Sequence, residues 1–478
     1  MDGLSVREAA QETGVADLPA IIDQGRVISY GELAAQVERR GHELAAQGVC
    51  PGSRVTLRAT CDVDTIVTFF ALIEVGAAFV PIHPRLTSVE EQVIIDDVQP
   101  HVCLSEHAPR GAFDKTMPRP EADPIVAIVY TSGTTGKPKG AVLSRSAFVA
   151  SARASEANLG WRTNDRWLVC MPLAHVGGLS ILTRCLSARK TIVLEPRFEP
   201  NAVLGAIRRE AATQISVVPT MLDALLRADL AGDLKRLRFV LVGGAAASPA
   251  LLDRAAEQGL LAITTYGLTE ACSQVTCQSL REPGTTEAGS GRVLQGIELR
   301  IVRENGEPAD ADEVGFIQVR GPTLMRGYWS GPDKPLRTPW TVDGWFATGD
   351  LGALDSMGRL FVHARRTDLI VTGGENVYPA EVEQAIEQCT GIAEAVVFGV
   401  PDERWGQTVA VAIVLAPGLS AEEVALTALS QVFQRLASHK RPRRFTIVES
   451  FPRTSSGKLE RASVCRDALP KLKDVPTT

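Results

Sequence analysis

From Ile125 the chain runs through a β-branched and aromatic strand to Tyr130, then into a loop of hydroxyls and glycines. The loop reads Thr131, Ser132, Gly133, Thr134, Thr135, Gly136, Lys137, Pro138, Lys139. Glycines let the backbone come close to an anion, and successive N–H groups in such a loop form an anion-binding concavity. The hydroxyls add donors and the two lysines add positive charge, so a polyphosphate is the natural guest. It is not a Walker A loop: Pro138 follows the Gly-Lys pair, and only two residues separate Gly133 from Gly136. A flexible polar loop has the same composition, so the run gains its meaning from its company further along the chain.

Four more strings come after it in order: Tyr266-Gly-Leu-Thr-Glu270, Ala347-Thr-Gly-Asp350, Gly373-Gly-Glu-Asn-Val-Tyr-Pro379 and Arg453-Thr-Ser-Ser-Gly-Lys458. Together with the loop they resemble the ATP-dependent AMP-binding (adenylate-forming) superfamily of acyl-CoA synthetases, firefly luciferases and nonribosomal-peptide adenylation domains. The resemblance runs from about Ser29 to Leu459. It implies attack of a carboxylate on the α-phosphorus of ATP, release of pyrophosphate, and transfer of the acyl group to a thiol. Such a protein must supply cations, donors and positioning more than a covalent nucleophile.

The resemblance also implies a role for each motif. Residues Thr131 to Lys139 hold the β- and γ-phosphates. Glu270 takes Mg²⁺, which prefers one or two carboxylates plus phosphate oxygens, and Thr269 lies at the α-phosphate. Tyr266 and Gly267, with Gly244 and Ala245 in Gly243-Gly-Ala-Ala-Ala247, line the adenine site. Asp350 accepts the ribose hydroxyls, and Arg365 sits where a ribose- or phosphate-contacting arginine falls. Lys458 matches the mobile catalytic lysine, Thr367 the hinge, and Gly373, Gly374 and Lys440 the approach of the CoA thiol and phosphates. The chain has Ala364 where the family usually has Gly, and Thr367 where it has Asp or Lys.

His175, in Met171-Pro-Leu-Ala-His-Val-Gly-Gly-Leu179, resembles the family's histidine beside the acyl carboxylate. A lone histidine is also commonly a core or loop residue. Here it would orient an oxygen that is already ionised and so needs no general base. The strings around His175, Glu270 and Arg365 look most like those of the 2-succinylbenzoate–CoA ligases, which thioesterify the aliphatic carboxylate of an aryl keto-diacid in menaquinone biosynthesis. Gly178, Ser273 and Gln274 would then line the acyl pocket. No arginine or lysine inside these strings is assigned to the second carboxylate. Another aryl- or acyl-CoA ligase, or an enzyme loading an acyl carrier protein, shares the general motifs.

The elements that must position these groups alternate. Arg54–Arg58 reads as a strand and Val63–Val75 as an apolar helix, with further strands at Gln214–Val218 and Arg238–Val242. Continuous β-branched strands separated by helices point to parallel sheets covered on both faces. Glu298–Val319 alternates in short strands, as in a small antiparallel or barrel-like piece. After Arg366 a compact α+β segment is expected: helix Pro379–Cys389, strands Glu394–Val400 and Thr408–Leu415, helix Ala421–Ser438, and a frayed tail from Lys471. The fold class is therefore α/β. Residues 1–366 form a large N-terminal domain, and 367–478 a smaller, mobile α+β domain.

Composition agrees. The 478 residues are 45% hydrophobic and 22% charged with net charge −6, which disfavours nucleic acid as a general partner. No apolar run approaches the ~18 residues of a membrane span, and the acidic, polar N-terminus is unlike a signal peptide. Nine scattered cysteines with no Cys-x-x-Cys pair read as reduced thiols of a cytoplasmic protein.

Overall fold

The computed structural model describes residues 3–104, 122–131, 138–332, 334–365, 368–372, 375–402, 405–418, 422–436, 438–454, 457 and 459–476. The chain divides into two compact units, 1–299 with 319–346, and 300–318 with 347–478. The second unit thus includes residues N-terminal to the boundary expected at Thr367, itself outside the described residues.

In the first unit a nine-stranded sheet has the order Arg292–Val293, Ser273–Cys277, Ala262–Leu268, Phe239–Val242, Gln214–Val217, Arg166–Val169, Thr191–Leu194, Pro19–Asp23, Arg26–Ser29. The strands from Ala262–Leu268 to Pro19–Asp23 are parallel. Phe239–Val242, Gln214–Val217 and Thr191–Leu194 are buried at every residue, the pattern of a sheet covered on both faces. A six-stranded sheet has the order Gly327–Tyr328, Lys139–Ser144, Ile125–Thr131, Ala78–Ile82, Arg54–Arg58, Val102–Leu104. There Lys139–Ser144 folds back antiparallel on Ile125–Thr131, with the residues between Thr131 and Pro138 outside the described ones. Helix Val63–Val75 starts where the Asp62 side chain accepts from the Thr65 N–H. It stops at Gly76, whose φ of 80° suits glycine. Its aromatic residues pack tightly, Phe69 lying 5.5 Å from both Phe70 and Phe79, centroid to centroid.

The second unit is built on strand pair Ile392–Asp402 and Gly406–Leu415, which pair antiparallel over nearly their full length. Alternation along the first strand serves two cores. Ala395 and Val397 face the helices Pro379–Glu387 and Glu422–Phe433, while Val396, Phe398 and Val400 pack with Phe451 and Val464. The helix expected over Ala421–Ser438 is found over Glu422–Phe433, and Ser438–Lys440 forms a separate 3₁₀ turn. The tail expected to fray from Lys471 is held instead. Lys473–Asp474 pairs with Arg444–Phe445, because that strand's open edge offers unpaired backbone groups. A four-stranded sheet, Glu298–Val302, Gly315–Arg320, Phe346–Leu354 and Leu360–Arg365, accounts for the short alternating strands.

Two glutamates of helix Pro379–Glu387 reach the strand beside it. Glu383 accepts from the Val397 N–H at 2.8 Å and Glu387 from the Ala395 N–H at 3.1 Å. Arg461 pairs with Glu383 at 2.5 Å, whereas Glu387 lies near the like charges of Glu383 and Glu394. Burial, reinforced by those charges, pushes the Glu387 carboxyl up to about 7. The folded state therefore binds more protons than the unfolded chain between the ordinary carboxyl value and 7, and stability falls as pH rises through that window. Comparing wild type with Glu387→Gln by chemical denaturation between about pH 5 and about pH 8 should show a downward slope in the wild type that the variant lacks.

Candidate active site

Strand register brings Thr131 opposite Lys139 and Tyr130 opposite Gly140. Residues Ser132 to Lys137 lie outside the described ones. The Lys139 ammonium stands 5.7 Å from the centroid of the Tyr328 ring, on the strand paired with Lys139–Ser144. From that position the Tyr328 hydroxyl donates to Glu270 Oε1 at 2.7 Å. The Met325 N–H donates to the Glu270 carbonyl at 2.7 Å. Glu270 is thus held through both backbone and side chain beside the strand that carries Lys139. Among the described residues no three His, Cys, Asp or Glu side chains cluster as a metal site. A Mg²⁺ held by Glu270 would complete its shell from phosphate oxygens and water, which suits that ion.

Tyr266 and Gly267 end strand Ala262–Leu268, and Thr269 and Glu270 come next in a 3₁₀ turn. The return strand Ser273–Cys277 crowds in so closely that a Cβ on Gly267 would fall 1.9 Å from the Ser273 carbonyl oxygen. Only glycine fits there. Cys272 and Ser273 themselves take left-handed φ values of 51° and 100°, a conformation non-glycine residues seldom adopt. Gly244 (φ 79°) and Ala245 are exposed at the C-terminal end of Phe239–Val242, small enough to leave a planar base room. In the second unit Asp350 is buried, its amide donates to Thr348 Oγ1 at 3.1 Å, and it sits opposite Arg365 in strand register. Lys440 pairs with Glu381 at 2.6 Å. Thr367, Gly373, Gly374 and Lys458 lie outside the described residues.

Helix Val176–Ser187 carries or adjoins the residues expected on the acyl side. His175 is its N-cap residue and makes no side-chain cap. A Cβ on Gly178 would meet the Pro172 carbonyl oxygen at 2.6 Å, so glycine lets the helix start against the preceding loop. Further along, Ser180 Oγ and Ser273 Oγ are 3.3 Å apart, and Arg184 Nη2 donates to Ser273 Oγ at 3.2 Å. Gln274 is buried: its Nε2 donates to Thr265 Oγ1 at 3.3 Å, while its Oε1 has no partner among the described residues.

Arg184 stands out chemically. It is 3% exposed, its guanidinium lies 5.6 Å from the Trp167 ring centroid, and its Nε bonds to no described residue. Among the described residues no carboxylate pairs with it; the titratable groups around it are the thiols of Cys277, Cys272 and Cys185, which burial keeps neutral. Burial pulls it down to about 10, so it remains a cation at neutral pH. A buried cation with no anion beside it is costly to keep.

Residues 6–119 and 105–329 match the model of the AMP-binding enzyme family, and residues 381–458 match its C-terminal domain. The chain belongs to the AMP-binding enzyme family. A 2-succinylbenzoate–CoA ligase from Bacillus cereus is 35% identical over 463 residues, 93% of this chain and 95% of that protein. One from Enterococcus faecalis is 36% identical over 380 residues, 79% of this chain and 76% of that protein. Two solved structures extend the likeness. The o-succinylbenzoate CoA synthetase (MenE) from Bacillus subtilis, in complex with the acyl-adenylate intermediate OSB-AMP, is 31% identical with TM-score 0.85, covering 96% of this chain and 97% of that one. ATP-bound MatB from Rhodopseudomonas palustris is 27% identical with TM-score 0.88, covering 98% and 99%.

This AMP-binding enzyme is an adenylate-forming acyl-CoA ligase, and its mixed α/β architecture is that of those structures. No helix among the described residues is long and apolar enough to cross a membrane. Sequence reading did not single out Arg184 or Tyr328. A signal for Arg184 was available: it is the lone charge in Val-Gly-Gly-Leu-Ser-Ile-Leu-Thr-Arg-Cys-Leu-Ser, a largely buried helix. Because its charge is buried without a carboxylate, Arg184→Met should leave the thermal midpoint of the ligand-free protein unchanged or higher. A fall of several degrees by scanning calorimetry would make the guanidinium a structural group instead.

Proposed function

We propose that this enzyme is an ATP-dependent 2-succinylbenzoate–CoA ligase, working in the cytoplasm in menaquinone biosynthesis, and that Arg184 receives the benzoate carboxylate of its substrate. The buried guanidinium without an anionic partner carries that reading. Ser180, level with the Arg184–Ser273 contact, lies five residues beyond His175, roughly 7–8 Å along the helix axis at 1.5 Å per residue. Arginine on a helix leans toward the N-terminus, so one end of the site is cationic while the other carries His175 and the helix's positive pole. An aryl keto-diacid spans such a distance with an anion at each end. Simple benzoate does not.

The first half-reaction is then attack by the aliphatic carboxylate oxygen on the α-phosphorus, with the α–β bond breaking and pyrophosphate leaving. His175, Gly178, Ser273 and Gln274 position the acid. Thr131 to Lys139, Thr269, Tyr266, Gly267, Gly244, Ala245, Asp350 and Arg365 hold the nucleotide. Bound Mg²⁺ supplies charge neutralisation at the phosphates, and Tyr328 keeps the Glu270 carboxylate oriented for it. Lys458 stabilises charge on the acyl and α-phosphate oxygens as the mixed anhydride forms. In the second half-reaction the CoA thiol, guided by Gly373, Gly374 and Lys440, attacks the acyl carbon and AMP leaves, after residues 367–478 rotate about Thr367 and withdraw Lys458.

Mass spectrometry of the thioester formed from 2-succinylbenzoate, ATP and CoA tests the assignment, with benzoate, medium-chain acids and a holo carrier protein as comparison arms. 2-Succinylbenzoyl-CoA should dominate; no turnover of that acid rejects the substrate. Arg184→Met should raise its KM by roughly 30- to 1000-fold, the loss expected when a buried charge pair is broken, and leave the KM for ATP unchanged. Equal KM values in variant and wild type would remove Arg184 from the pocket. Lys458→Ala should abolish adenylate formation while sparing thioester formation from supplied acyl-AMP, and equal loss of both would reject the two-geometry scheme.

A further inference from the structure

A second imidazole stands beside His175. His83 directly follows the strand Ala78–Ile82, every residue of which is buried. Its ring centroid lies 5.4 Å from that of His175, the planes inclined at 42°. His83 is 8% exposed. Its Nδ1 accepts from the Arg85 N–H at 3.1 Å, which requires Nδ1 to carry a lone pair. In the neutral ring the proton therefore sits on Nε2. Burial, with Arg85 adding to it, holds the imidazole below its ordinary value, in keeping with the neutral form. Nε2 is inaccessible to solvent and bonds to no described residue. A buried N–H donor without an acceptor is costly, and native structures seldom keep one that nothing satisfies.

We propose that His83 is a substrate-contacting residue of the acyl site, a neutral Nε2–H donor to an oxygen of the bound acid alongside His175. The proposal rests on placing the acid at His175. A neutral donor suits this position, because it can fix the carboxylate's direction without taking up its charge. An imidazolium there would stabilise the carboxylate before attack as much as during it, and so weaken its nucleophilicity. The arrangement also divides the pocket by strength: Arg184 anchors the remote end through charge, and His83 orients the near end through a directional bond.

Nitrogen-15 NMR of histidine-labelled enzyme with AMP, titrated with 2-succinylbenzoate, tests this without a variant. His83 should show the Nε2–H tautomer at pH 7, and its Nε2 proton should move downfield as the acid binds. A His83 ring that is charged, that carries its proton on Nδ1, or whose resonance ignores the acid (a resident water only) overturns the proposal. His83→Phe keeps the ring and removes the donor, so KM for the acid should rise roughly tenfold, with KM for ATP unchanged and kcat little altered. His83→Gln, which restores an N–H donor, should recover part of the loss. An unchanged acid KM in His83→Phe overturns it as well. Failure of the underlying reading looks different: 2-succinylbenzoate would not turn over in the wild type, while another acid that does would still shift the His83 resonance.

Discussion

The acyl site proposed for this enzyme depends on a cation that the fold keeps out of water with no carboxylate beside it among the described residues. Arg184 projects from a helix whose remaining side chains are apolar or small, and its only described hydrogen bond runs to a hydroxyl, Ser273. That hydroxyl is set by a turn under constraint. Cys272 and Ser273 are left-handed, Gly267 admits the returning strand at a distance no other residue tolerates, and Ser151 Oγ donates to the Cys272 carbonyl at 2.7 Å. The turn that places Thr269 and Glu270 therefore also places the partner of Arg184, so the proposed nucleotide and acyl halves would share one strained piece of backbone.

Packing explains how that turn stays in register. Parallel strands buried on both faces have no solvent side on which to slip, because a one-residue shift exchanges the residues serving the two faces. Trp167 Nε1 donates to Ser216 Oγ at 3.1 Å and its ring meets Phe239 edge-on at 5.9 Å, fixing three neighbouring strands to each other. The same ring lies near the Arg184 guanidinium, so the core supports the site electrostatically as well as sterically. In the second unit the strand Ile392–Asp402 faces two cores, and helix glutamates bond its amides from one side.

Much of this was legible in the residues alone. The loop from Thr131 to Lys139 raises the expectation of phosphate through glycine and hydroxyl chemistry that operates locally, though residues 132–137 lie outside the described ones, and the turn at Tyr266–Glu270 lies where two strands meet. Strand runs such as Phe239–Val242 came through because β-branched continuity is a short-range pattern. Less legible were groups whose roles come from neighbours distant in sequence. Tyr328 matters through Glu270, 58 positions away, and Arg184 through Ser273, 89 positions away. The chain's end misled for a similar reason: Lys473–Asp474 looks like a polar tail until Arg444–Phe445 offers it an open edge.

Sequence alone determined which side chains are available for chemistry, because residue types and short spacings define the Gly/Thr-rich run from Thr131 to Lys139, the carboxylate at Glu270 and the histidine at 175. Tertiary structure decided which charges are satisfied. Whether an arginine is a solvated surface group or an unpaired buried cation, and which nitrogen of a histidine carries its proton, depends on what packs around it. Those surroundings are assembled from segments that no local pattern connects.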